Sequence, residues 1–258
     1  MLRSLNKALL LIDAFTPEKP EWQLGDLSRA LGFPKPTVHH MLATLEQAGW
    51  IERADREGVY RLGIRLWEKG WLAINHTPLR DLARPAATTL SKQSQETVRL
   101  GVLDVLDAGF TIYFDQVDGP SQIRAHTRIG DRAPSHCVAT GKALLAFNDN
   151  AIERLQNRAL PRFTVRTITN YDRLLTELER IRKQRFAINR KEYRDDIVGV
   201  AAPIVNHEGR AVAAIGISGP AYRLSATSIS NLAPHVIAAA ETISKRLGYR
   251  DGKTRRLR

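Results

Sequence analysis

Two stretches of the chain gather side chains that could do chemistry. The first is Lys35-Pro36-Thr37-Val38-His39-His40-Met41-Leu42-Ala43-Thr44, where ammonium, hydroxyl and imidazole groups are interleaved with apolar residues. Val38, Met41, Leu42 and Leu45 recur at helical spacing, which leaves Lys35, Thr37, His39, His40 and Thr44 to face outward. Such groups on the first turns of a helix are suited to phosphate and base-edge contacts with DNA. The second stretch, Ser135-His136-Cys137-Val138-Ala139-Thr140-Gly141-Lys142, runs into a helical pattern ending at Phe147. Here Thr140 reads as a helix N-cap, and Gly141 as a point where a ligand comes close to the backbone. The N–H groups of a helix start favour an anion, so a small carboxylate could be held there without a metal.

The first stretch needs a frame. Leu24, Leu27, Ala30 and Leu31 form an apolar helical stripe, and Gly32-Phe33-Pro34 breaks it before the second helix begins. That helix ends at Gly49. Trp50–Arg53 and Val59–Leu62 then alternate around a loop, 54–58, that contains Gly58, the pattern of a hairpin. Two helices, a tight turn and a hairpin make a winged helix-turn-helix, with Arg56 at the wing tip and Arg53 and Arg61 beside it. The competing reading is a helical hairpin packed on a small sheet that never meets DNA.

Charge does not decide between them. The formal net charge of +12 suggests a nucleic-acid partner, yet residues 1–70 hold ten Lys/Arg against nine Asp/Glu. The excess lies elsewhere: twelve against four in residues 154–194, and seven against one in 245–258. The last of these, with no apolar periodicity, reads as a solvated, disordered tail at 250–258 that adds at most salt-sensitive affinity.

A length of 258 residues accommodates two domains. No apolar run is long enough to span a membrane, and the N-terminal segment, interrupted by Asn6, Lys7 and Asp13, does not read as a signal sequence. It reads as an amphipathic helix burying Leu5, Ala8, Leu9 and Ile12. The single cysteine, Cys137, excludes an internal disulfide and fits a reducing cytoplasm.

Residues 1–63 are therefore expected to form the DNA-binding domain, 64–78 a linker, and 79–249 a second domain. The linker carries apolar residues at 64, 67, 71 and 74, including two tryptophans, too large a stripe for one short helix to hide. Pairing with a copy of itself would cover it; so would docking on the same subunit. In the second domain, strands are expected at Thr97–Leu103, Gly109–Gln116, Gln122–Thr127, Phe186–Asn189, Val200–Val205 and Ala211–Ser218. Helices are expected at Leu79–Gln93, Gly141–Phe147, Asp149–Arg158, Tyr171–Gln184 and Ala226–Leu247. A block of antiparallel strands with helices before, between and after it predicts an α+β sandwich.

Enzymatic readings fare poorly on the same residues. A phosphate-binding loop would need Gly at 136 and Ser or Thr at 143, where the chain has His136 and Ala143. His136 and Cys137 are adjacent on an extended segment and point to opposite faces, which argues against a nucleophile and its base. Cys137 reads either as a redox-sensing thiol or as a small buried residue. No metal-site spacing links the histidines to it. Arg99 would pair with an acidic ligand if it pointed inward, although a surface position is expected.

The chain as a whole resembles the IclR family of bacterial transcriptional regulators. The resemblance rests on LSRALGFPKPTVHHMLATLEQAGWIER…YRLG in the first domain. In the second it rests on IGDRAPSHCVATGKALLA, TITNYDRLLTELERIRKQRFAINRKEYRDDIVGVAAPI and AAIGISGP. It implies a GAF-like effector domain with a central antiparallel sheet, subunits paired through their DNA-binding regions, and a homodimer or a tetramer built from two dimers. By the same resemblance the partners are double-stranded operator DNA and a small organic-acid effector, with no cofactor, metal or catalytic residue. The DNA-contacting set is then Lys35, Pro36, Thr37, His39, His40, Thr44, Arg56 and Arg61. The effector pocket maps onto Cys137, Ala139, Thr140, Gly141, Asp196 and Ser218, with Asp196 receiving a ligand hydroxyl and Ser218 donating to a carboxylate. Where many members open the recognition helix with Lys-Ser-Thr, this chain has Lys35-Pro36-Thr37, and His40 replaces a common Arg.

Overall fold

Leu11, Phe15, Trp22, Leu27, Val38, Leu42, Ile51 and Tyr60 meet in one apolar core. The elements that carry them make up the first of two units, Met1–Thr77 and Pro78–Arg258. The computed structural model describes residues 2–75, 78–121 and 128–250. The strand expected at 122–127, the tail from 251 and the junction at 76–77 lie outside them.

The first unit runs α1 (Arg3–Asp13), β1 (Glu21–Gln23), α2 (Leu24–Leu31), α3 (Lys35–Gln47), β2 (Ile51–Arg53), β3 (Val59–Leu62) and α4 (Ile64–Asn75). Strands pair antiparallel in the order β1-β3-β2, so the wing hairpin carries a third strand that local sequence does not announce. The turn between α2 and α3 follows from Gly32, whose φ of +66° costs other residues more. Its N–H bonds to the Arg29 carbonyl and that of Phe33 to the Ser28 carbonyl, satisfying groups left open at a helix end. Within α2, Ser28 and not Ala30 is turned inward. Its hydroxyl donates to the Phe33 carbonyl at 2.6 Å, which makes burial of a polar group tolerable.

The α1 expectation is corrected. Leu11 enters the core, while Leu5 and Leu9 stay exposed alongside Leu2 and Leu10. The helix is apolar on more than one face, and only the face toward Trp22 and Leu27 can be covered within the unit. On α4, Ile64, Trp67 and Trp71 are also exposed, the tryptophans by 64% and 51%.

The second unit contains α5 (Pro78–Ser94), β4 (Thr97–Leu103), β5 (Phe110–Val117), β6 (Arg132–Pro134), α6 (Ala139–Ala146), α7 (Asp149–Glu153), α8 (Tyr171–Gln184), β7 (Ala187–Arg190), β8 (Ile197–Val205), β9 (Ala211–Pro220) and α9 (Ala226–Arg246). Among the described residues the sheet order is β6-β5-β4-β9-β8-β7, antiparallel at every pairing. Alternation along the strands sends Val98, Leu100, Val200 and Ile215 toward α5 and α9. It sends Ala201 and Ala214 toward α6 and α8. Small residues on that second face let α6 lie close to the sheet, and all eight of its residues are buried. The result is an α+β sandwich with helices on both faces. Two helices are fixed by N-caps: Asn170 Oδ1 accepts from the Arg173 N–H at 2.9 Å, and Ser225 Oγ from that of Ser228 at 3.1 Å.

Candidate functional site

In the first unit, α3 buries Val38 and Leu42 and presents Lys35, Pro36, His39, His40 and Thr44 to solvent, with Thr37 half-buried. Pro36 is accommodated because it sits in the first helical turn, where its missing N–H has no intrahelical partner to lose. His39 and His40 are both exposed and meet edge-on, with ring centroids 5.9 Å apart. Neither is packed into the core. The Thr44 hydroxyl donates to the His40 carbonyl at 2.9 Å, so only its lone pairs remain to meet an outside donor.

The wing is braced by ion pairs. Arg53 Nε lies 3.0 Å from Glu46 Oε1, tying β2 to α3. Arg61 Nε lies 2.7 Å from Glu52 Oε1, its cross-strand partner. Arg61 is therefore a charge already half-spent on the hairpin. Lys35 and Arg56 are exposed and carry no ion pair among the described residues. On this unit Asp26, Glu46 and Glu52 are taken up in ion pairs, whereas the cations at the helix start and the wing tip are not.

In the second unit the effector candidates separate. Thr140 is not an N-cap. Val138 occupies that position, without a side-chain cap, and the Thr140 hydroxyl instead meets Tyr113 Oη at 3.1 Å. Gly141 does not leave room for a ligand either: a Cβ there would overlap the Ser135 backbone. Its role is close packing of α6 against the preceding segment. Ala139 opens α6 and is buried. Asp196 does not join the group: its carboxylate is exposed and paired with Arg194 at 3.2 Å in the turn before β8. That pairing holds its pKa below the usual carboxylate range.

Cys137 is fully buried, and its thiol points at the Pro134 carbonyl, 3.5 Å away. Burial pushes the thiol well above its ordinary pKa, the opposite of what a redox-sensing or nucleophilic cysteine needs. His136 is also buried, with Nε2 3.0 Å from the Pro161 carbonyl. Among the described residues no group of His, Cys, Asp or Glu is placed to hold a metal ion.

What does gather around the start of α6 is a polar cluster on the sheet. Arg99 of β4 is not a surface residue: it is 4% exposed. It donates to Ser218 Oγ on β9, and its guanidinium carbon lies 5.7 Å from the Tyr113 ring centre. The register explains the meeting. Thr97 pairs with Ser218 and Arg99 with Gly216, so Arg99 and Ser218 are diagonal neighbours on one face. Gly216 keeps the space between them open for α6. A Cβ there would sit 2.7 Å from Ala201 Cβ and 3.2 Å from Thr140 Cγ2. Tyr113, Ala133 and Val138 form an apolar wall beside the cluster, with Tyr193 packed on it.

A second buried feature was not anticipated. Lys142, 1% exposed, places Nζ 2.7 and 2.6 Å from the two carboxylate oxygens of Glu192 and 3.5 Å from Glu177 Oε1 on α8. The Glu192 carbonyl accepts from Thr167 Oγ1 at 2.6 Å. One ion pair thus ties α6 to the segments on either side of α8 and β7.

A winged helix-turn-helix on one unit and a helix-flanked antiparallel sheet on the other are the architecture of a two-domain transcriptional regulator. The chain belongs to the IclR family of transcriptional regulators. Residues 4–55 match the IclR helix-turn-helix domain and residues 71–245 the bacterial transcriptional regulator IclR C-terminal domain. It is 31% identical over 251 residues to the HTH-type transcriptional regulator XynR of Escherichia coli K12, covering 96% of this chain and 98% of that one. Thermotoga maritima IclR superposes with a TM-score of 0.71 at 29% identity, over 96% and 100% of the two chains. An IclR homologue of Microbacterium hydrocarbonoxydans, solved with 4-hydroxybenzoate, shares the fold at a TM-score of 0.77 and 23% identity, over 95% and 99%. No helix among the described residues is long and apolar enough to cross a membrane.

Proposed function

We propose that the chain is a one-component regulator that binds double-stranded operator DNA as a homodimer or a tetramer of two dimers, and that a small organic acid bound in its second unit changes that affinity. It acts in the cytoplasm and catalyses no reaction. The observation that carries the reading is α3: a helix whose apolar side closes the core and whose other side offers Lys35, Pro36, Thr37, His39, His40 and Thr44, with Arg56 and Arg61 on the adjoining wing. Lys35 and Arg56 supply phosphate contacts, and Thr37, His39 and His40 read base edges. The exposed Ile64, Trp67 and Trp71 of α4 support pairing between copies, since so large an apolar patch on a lone chain favours association.

The effector lies at the start of α6, against Ala139, Thr140 and Ser218. The 4-hydroxybenzoate held by the Microbacterium relative supports an organic acid as its class. Such a ligand alters DNA affinity only in so far as it binds the two conformations of the regulator unequally.

The test is a mobility-shift titration on the DNA upstream of the protein's own coding region. A sequence-selective shift that weakens with salt is expected, as is its loss on Thr37→Ala and His40→Ala with thermal unfolding unchanged. A shift that competitor DNA of any sequence removes equally would overturn the proposal.

A further inference from the structure

Residues 154–194 hold twelve Lys/Arg against four Asp/Glu, and the fold uses that excess unevenly. Arg158, Arg180, Arg182 and Arg194 are each met by an acid. Arg162, Arg166, Arg190 and Lys191 carry no ion pair among the described residues, and the fold places their backbones side by side. The Thr164 hydroxyl donates to the Lys191 carbonyl at 2.7 Å and that of Thr167 to the Glu192 carbonyl at 2.6 Å, which stitches loop 161–167 to turn 190–193. Within the loop, the N–H groups of Phe163 and Thr164 donate to Thr167 Oγ1 at 3.0 and 2.8 Å, so its shape is set from inside. Arg162, Arg166 and Arg190 are exposed and Lys191 is half-buried. Between the two arginines of the loop stand Phe163, 43% exposed, and Val165, 85% exposed. Little acid offsets the cations. Glu192 gives its carboxylate to Lys142 in the interior, and Asp196 is taken by Arg194, which leaves Asp195 as the next acid along the turn.

We infer that loop 161–167 and turn 190–193 form a docking surface for an acidic segment of another protein, one whose carboxylates alternate with apolar side chains. An arginine offers a carboxylate two parallel hydrogen bonds from a planar fork, and all but one of the four cations are arginines. A loop already ordered by its own hydrogen bonds loses little freedom when such a partner arrives. A phosphate backbone would also match the cations, yet it gives nothing to Phe163 or Val165. An exposed aromatic ring among arginines is instead the composition of a protein interface. A second copy of the chain is a poorer match. Its own exposed acidic and apolar turn, 104–107, presents Val105 and Leu106, but Asp104 is already held by Arg132 and Asp107 by Arg158.

Fluorescence anisotropy on the full chain tests this with two labelled peptides of equal charge. In one, Asp and Glu alternate with Leu and Phe; in the other, serine replaces every Leu and Phe. The first binds the wild type, less tightly as salt rises, and the second binds about 5-fold more weakly or worse. Arg166→Glu weakens the first peptide by about 10-fold and Val165→Ser by about 3-fold, while both variants shift operator DNA as the wild type does. Lys183→Glu makes the same charge change at the opposite end of α8, about 20 Å of helix away, and leaves peptide binding unchanged. Equal weakening by Arg166→Glu and Lys183→Glu would reduce the effect to net charge and remove the site. Equal affinity for the two peptides would leave a surface for any polyanion and overturn the protein partner. If Arg166→Glu instead weakens DNA binding and lowers its salt slope by about one, the surface belongs to DNA. If that variant changes the sedimentation of the chain, the occupant is a second copy and the proposal falls. A wild type that binds neither peptide overturns it outright.

Discussion

The two units treat charge in opposite ways. On the helix-turn-helix unit the ionic groups are outside: Arg53–Glu46 and Arg61–Glu52 sit on the surface, where an ion pair stabilises by at most about 1 kcal/mol. Inside the sandwich, Lys142–Glu192 is almost wholly buried. Asp115, with no exposed side-chain surface, bonds to Arg84 at 2.6 Å, and Arg99 lies under the helices. A surface pair can be lost or exchanged with little cost, which suits residues that must be handed over to phosphates. A buried pair fixes geometry, because removing one partner strands the other. The helix-turn-helix unit therefore keeps its ion pairs on the exterior of an apolar core, whereas the sandwich is specified in part by charges within.

That contrast is sharpest at the point where the sandwich has no slack. Gly141→Ala would drive a Cβ into the Ser135 backbone, where no flexible side chain can yield. The expected loss exceeds the ~1–3 kcal/mol of ordinary overpacking, and the second unit should no longer unfold cooperatively in calorimetry. Gly32→Ala in the first unit meets nothing within 4 Å and strains only φ, for about 1 kcal/mol. Similar losses at the two positions would erase the distinction between a glycine required by close approach and one required by a turn.

Next in size is the buried ion pair. Lys142→Met leaves the Glu192 carboxylate enclosed without its cation, an error of about 3–5 kcal/mol in urea unfolding. The double change Lys142→Met with Glu192→Leu should recover most of it, because the pair stabilises little beyond what apolar packing of similar volume supplies. Arg61→Ala on the wing, by comparison, should cost no more than ~1 kcal/mol of stability. A double variant as unstable as the single one would mean that the pair positions its surroundings in a way no apolar substitute reproduces.

The same inside-outside division governs what the sequence discloses. Periodicity marks core positions and leaves the remainder as surface, so it finds which side chains face outward. The α3 face, the wing and the ends of Thr97–Leu103 and Tyr171–Gln184 are legible in this way. Buried polar contacts are invisible to it. Arg99 reads as a surface residue because its burial depends on Ser218, more than a hundred positions away, and on the strand pairing between them. Thr140 imitates an N-cap because the type is right, and only the helix start at Ala139 and the contact with Tyr113 show its different use. Leu5 and Leu9 fail for the reverse reason: α1 has two apolar stripes, and which one is covered depends on Trp22 and Leu27. β1 is three residues long and exists only because β3 accepts it.

The smallest expected effect concerns protons. His136 is buried against the Pro161 carbonyl, and burial lowers its pKa below the ordinary histidine value, the hydrogen bond to Pro161 opposing and Lys142 assisting. In the unfolded chain the imidazole titrates near the ordinary value of about 6.5. Above that pH both states are neutral, and the group leaves stability unchanged. As pH falls through it, the unfolded chain takes up a proton that the folded chain refuses, so stability declines until the folded pKa is reached. The slope is no steeper than one proton allows, about 1.4 kcal/mol per pH unit. His136→Gln, which keeps a donor near Pro161, should flatten that decline in urea titrations between neutral and mildly acidic pH. A profile as steep in His136→Gln as in the wild type would place the acid-sensitive charge on another group, and burial of a neutral His136 would not be what the sandwich loses on acidification.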